Sequence, residues 1–169
     1  MVRSFVVIVS LAVAVFAAAC TKNADNPAGP FTSANNRMTV NGGGYSAASF
    51  NAFNIDTAAV ATVQSGRGVV TMTGITSKVL EGFTIVMTTP AATAGTWQVN
   101  ALTGTTMSLV ISNGDTTRTY VATSGSVQID SWGDRAKGQF TGSFARTSDL
   151  MTPELQVTAG KFDAGVIVR

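Results

Sequence analysis

Histidine is absent from this 169-residue chain, and cysteine occurs once, as Cys20. The first absence removes the usual general base, the Ser-His-Asp triad and the commonest protein ligand for zinc and copper. The second leaves no partner for a disulfide within the chain. Charged residues make up only 12% of the sequence, about half the usual share. Once Arg3 is set aside the acids and bases almost cancel, and no basic patch is present that would suit nucleic acid. Apolar residues at helical spacing are also scarce.

The surviving routes to catalysis are few. No Ser-x-x-Lys occurs, and Ser77 and Lys78 would point to opposite faces of a strand. Gly44-Tyr45-Ser46-Ala47-Ala48 approaches a nucleophile elbow but lacks the second glycine, and Gly42-Gly43 before it reads as a turn. Among the acids, Asp130 and Asp134 flank a turn, where aspartate bonds nearby backbone amides, and Glu81 and Glu154 fall at strand starts. No series of oxygen ligands resembles a calcium loop. The expectation is a non-enzymatic protein without metal or cofactor.

What the chain does have begins at its amino terminus. Arg3 precedes an apolar run from Phe5 to Ala19, broken only by Ser10. That run is shorter than the ~20 apolar residues a membrane-spanning helix needs, and it has the layout of an export signal. It ends on small residues and the single cysteine, Ala17-Ala18-Ala19-Cys20.

This ending resembles the lipobox of bacterial lipoproteins, with Phe16 where that family more often carries Leu. The resemblance implies cleavage before Cys20 and a thioether-linked diacylglycerol on its sulfur, usually with a further acyl chain such as palmitate on its amine. Two or more chains give stable attachment where one does not. Thr21 follows where many inner-membrane lipoproteins carry Asp, which points to the outer membrane. Residues 1–19 are thus expected as signal peptide and 20–36, rich in Asn, Ala, Pro and Gly, as lipidated terminus and flexible tether.

Residues 37–169 suit one domain, long enough for a real core. The apolar residues there recur with a period of two, as half-buried strands require. Phe83, Ile85 and Met87 alternate with Thr84, Val86 and Thr88; Met107, Leu109 and Ile111 alternate with Ser108, Val110 and Ser112; Trp97, Val99 and Ala101 alternate with Gln98 and Asn100. The fold class is all-β, an antiparallel sandwich or a calycin-like barrel.

Turn chemistry marks the hairpins. Ser112-Asn113-Gly114-Asp115 predicts a type I′ turn between 107–112 and 116–123. Ser65-Gly66-Arg67-Gly68 predicts another between 58–64 and 69–75, and Ser131-Trp132-Gly133-Asp134 a third between 126–130 and 136–145. Pro153 is expected to end a loop after Arg146. Gly138, Phe140, Gly142 and Phe144 share one parity, so neighbouring rings can lie over the glycines. A parity change between Leu155-Val157-Ala159 and Phe162-Ala164 calls for an extra residue, and Gly160 is the natural bulge.

The segments GSVQID, GQFTGSFA and LQVTAGKFD resemble the carboxy-terminal half of small uncharacterised bacterial lipoproteins, whose domains look like compact antiparallel sandwiches or calycin-like barrels. Gly95-Thr96-Trp97 has the spacing of the lipocalin Gly-x-Trp signature, though at mid-chain instead of on the first strand, and Trp97 reads as a core anchor. Two functions remain. One is an envelope lipoprotein that binds another envelope protein or a glycan through loops such as 130–135 and 146–153, with Trp132 as an exposed contact. The other is a carrier whose interior holds an apolar molecule against Phe140, Phe144, Trp97 and Met107.

Overall fold

The computed structural model describes residues 32–167, so Cys20 and the residues around it lie outside the described residues. Ten strands follow in chain order: β1 (Thr32–Gly42), β2 (Tyr45–Phe53), β3 (Ala59–Gln64), β4 (Arg67–Ile75), β5 (Gly82–Thr89), β6 (Gly95–Gln98), β7 (Thr106–Ser112), β8 (Thr117–Trp132), β9 (Arg135–Arg146) and β10 (Asp149–Ile167). Eight of them close a ring in the order β1-β2-β4-β5-β7-β8-β9-β10, and each neighbouring pair is antiparallel, including β10 back onto β1. The described residues therefore form an up-and-down barrel, not a sandwich.

The other two strands widen one end. β3 pairs antiparallel with β4 and parallel with the last residues of β10. β6 pairs with β8 over Ser126–Ile129, beyond the point where β7 leaves it at Val121. The end where the chain enters at Thr32 carries these extra strands, the β3–β4 and β8–β9 turns and Ile167; we term it proximal. The distal end carries the β1–β2, β4–β5, β7–β8 and β9–β10 connections.

The expected alternation sets the inside and outside of the barrel. Phe83, Ile85, Met87, Met107, Leu109 and Ile111 are all buried in one core cluster. Lys137, Gln139, Thr141, Gln156 and Thr158 point out to water. The interior is apolar, unlike the polar interior of a barrel that spans a membrane.

Several expectations need correction in detail. The first strand begins at Thr32, within the segment expected as tether, because Asn36 is buried and its side chain clamps the backbone of Asp163 on β10: its amide oxygen accepts from Asp163 N–H at 2.6 Å and its amide nitrogen donates to Asp163 O at 3.2 Å. The type I′ geometry falls at Ser65-Gly66, with positive φ at both residues between the paired Gln64 and Arg67. At 113–116 only Gly114 has positive φ, and the Asn113 side chain instead accepts from Thr116 N–H at 3.0 Å in a four-residue loop.

β6 stops at Gln98 because the Asn100 carbonyl accepts from Thr103, Gly104 and Thr105, winding the chain into a tight loop that leaves Ala101 exposed. Pro153 lies inside β10, opposite Ala145, at one of that strand's register shifts. The bulge before Gly160 is present: Val157 pairs with Gly142 and Gly160 with Phe140, so three steps on β10 match two on β9.

Candidate functional site

Phe140 and Phe144 are buried in the barrel core, at 2% and 0% exposure. Phe140 sits in a register row across four strands, Trp97–Val127–Phe140–Gly160, with its ring over Gly160. Trp97 is half-buried at the β6 end of that row and packs on the core, with its ring folded over Gly95. Trp132, expected as an exposed contact, is also half-buried: its ring edge covers Gly68 of β4. Trp97 and Phe140 thus share a row with Val127 between them, whereas Phe144 belongs to a different row, opposite Leu155.

These inward side chains pack into one core cluster. Tyr120, Phe50, Met38 and Met72 are fully buried with them. A cleft of about 310 Å³ lies beside Pro153 and Leu155. A smaller one of about 140 Å³ lies at the proximal end. Its rim includes Asn35, Phe53, Asn54 and Asp56, and its wall is Arg135 bonded to the Asp163 carboxylate at 2.5 Å.

The distal end holds a cluster that sequence reading missed. Glu81 is only 4% exposed at the head of β5. Its carboxylate accepts from Tyr45 Oη of β2, from Thr76 Oγ1 at 2.7 Å, and from Arg118 Nη2 of β8 at 2.5 Å. Arg118 also donates to Tyr45 Oη at 3.2 Å, and Lys78 Nζ lies 4.0 Å above the Tyr45 ring. Residues from two strands, β2 and β8, and from the β4–β5 loop are thereby tied across the barrel mouth.

The electrostatics bind the cluster together. Burial pushes the Glu81 carboxyl up, but hydrogen bonds from Tyr45 and Thr76 and the charges of Arg118 and Lys78 outweigh it and hold the group below the usual carboxylate range. Burial, with the hydrogen bond to Glu81, pushes Tyr45 up to about 12. Ser46, beside Tyr45, is exposed on the outer face. Among the described residues, no three His, Cys, Asp or Glu side chains gather to hold a metal.

The large apolar side chains most exposed to water lie at the two barrel ends. Val79 and Leu80, both 89% exposed, top the distal β4–β5 loop, with Leu80 at φ 57°, and Met151 at 93% stands across the mouth from them. At the proximal end Leu102 is 97% exposed and Ile55 63%. The two loops expected to make contacts, 130–135 and 146–153, fall at opposite ends, so one flat partner cannot touch both.

The described residues form a closed, up-and-down β-barrel around an apolar core. Comparison with known proteins finds no matching family model, no matching curated protein and no matching solved structure.

Proposed function

We propose that this chain is an exported lipoprotein of the bacterial envelope, attached to the outer membrane through acyl chains on Cys20, and that its barrel is a non-enzymatic binding or structural module. The observation that carries the reading is the placement of the sole cysteine directly after Ala17-Ala18-Ala19 at the end of a short apolar run. The packed barrel favours a module acting through its outer surface over a carrier of apolar cargo. The candidate partners are an envelope protein or a glycan, met by Thr, Asn and aromatic groups, since charges are few.

Metabolic labelling with fatty acid, followed by membrane fractionation, tests the attachment. Wild-type protein is expected to carry label and stay with membranes, while Cys20→Ala loses both. A mature protein that begins downstream of Cys20, or that is soluble and unacylated, overturns the reading.

A further inference from the structure

The two ends of the barrel differ in their relation to an anchored terminus. Cys20 and Thr32 are twelve residues apart, which spans about 20 Å as a coil and at most about 40 Å fully extended. β1 enters the barrel at the proximal end, so this end is the one a lipid anchor would hold close to the membrane.

That end also has the chemistry of a lipid contact. Leu102 is displayed at 97% exposure on a loop that is firmly braced. Asn100 Oδ1 accepts from Leu102 N–H at 2.9 Å, and the Asn100 carbonyl accepts from the amides of Thr103, Gly104 and Thr105. Beside it the Arg67 guanidinium lies against Gly104, where an added Cβ would meet Cζ, Nη1 and Nη2 each at 3.1 Å. Among the described residues no carboxylate forms a salt bridge with Arg67. Trp132 packs over Gly68, the residue after Arg67. An apolar prong, a cation without a salt-bridge partner among the described residues and a half-buried indole are groups that settle at the boundary between lipid headgroups and acyl chains.

We propose that the proximal end rests on the anchoring bilayer, with Leu102 inserted, Arg67 at the anionic headgroups and Trp132 at the interface. The inference rests on the lipoprotein reading. It gives the barrel an orientation: the Val79-Leu80 end points away from the anchoring lipid and is the end free to meet an envelope partner.

The lone cysteine makes the test direct, because acylation of Cys20 leaves any introduced cysteine as the sole free thiol. Acylated Leu102→Cys and Leu80→Cys proteins, each carrying a polarity-sensitive fluorophore, are reconstituted into phosphatidylethanolamine–phosphatidylglycerol vesicles with brominated acyl chains. The expected result is a blue shift and bromolipid quenching at 102, with neither at 80. Acylated protein in which both probes stay open to an aqueous quencher overturns the orientation and leaves the anchor standing. Protein recovered without acyl chains overturns the anchor and the orientation together. Both positions are exposed, so neither substitution disturbs the core.

Discussion

Glu81 shows how one buried acid holds the distal mouth together. With its donors in place it is ionised; without the carboxylate, Arg118, Tyr45 and Thr76 lose their common acceptor. Glu81→Gln is expected to cost about 3 kcal/mol in urea unfolding at neutral pH, the lower part of the range for breaking a buried pair, because Arg118 retains some access to water. The pH dependence has a definite sign. The folded value of Glu81 lies below its usual 4.5, so this stabilisation is present above 4.5 and is lost as pH falls through the folded value. The gap between wild type and Glu81→Gln should therefore close in acid. At the alkaline side, Tyr45 is held at about 12 against a usual 10.0. Its contribution is complete below 10 and disappears as pH rises through 12. Phenolate absorbance missing from Tyr45→Phe should accordingly appear in wild type near the upper value. None of this was legible in the sequence, where Tyr45, Glu81 and Arg118 are separated by 36 and 37 positions; only Glu81 at a strand start gave a hint, and a bland one.

At the scale of single elements the sequence was far more readable, because strand parity and turn chemistry act within a few residues. The glycine-aromatic alternation on β9 predicted neighbouring rings over its glycines, and this holds at Gly138 under Phe162 of β10, whereas Gly142 meets Met107 and Phe144 of its own strand. In turn Phe140 of β9 covers Gly160 on β10. An added Cβ at Gly160 would lie 2.5–2.6 Å from three atoms of the Phe140 ring. Gly160→Ala should therefore destabilise by about 2 kcal/mol, as overpacked cores do. Gly133→Ala, in the β8–β9 turn with nothing within 4 Å of the added atom, should stay within about 0.5 kcal/mol of wild type. Thermal melts of the two variants side by side check the pair. The misreadings at this scale arose where polar side chains intervened: Asn113 reshaped its loop, Asn100 ended β6, and Asn36 held β1 in place from an unpromising Asn-rich segment. Asparagine marks irregular backbone in composition statistics, yet here it builds the bonds that order it.

Closure of the barrel belongs to the whole molecule and left no local trace. The pairing that decides barrel over sandwich joins β1 to β10, with Arg37 opposite Lys161, and residues so far apart in the chain share no turn or spacing to announce it. The same global view decides what the interior can do. Its centre is occupied by Phe144, Phe140, Met107 and Tyr120, so truncating one ring should convert a filled barrel into a hollow one. Phe144→Ala is expected to lose about 4 kcal/mol, the transfer of the ring plus the cavity it leaves. It should also gain something the wild type lacks, since an apolar cavity in a core stays dry and accepts small apolar guests. Benzene should raise the melting temperature of Phe144→Ala and leave that of the wild type unchanged. Stabilisation of the wild type by benzene, or an apolar ligand co-purifying with it in native mass spectrometry, would mean that the core opens to cargo, and would turn the reading from a surface-binding module to a carrier.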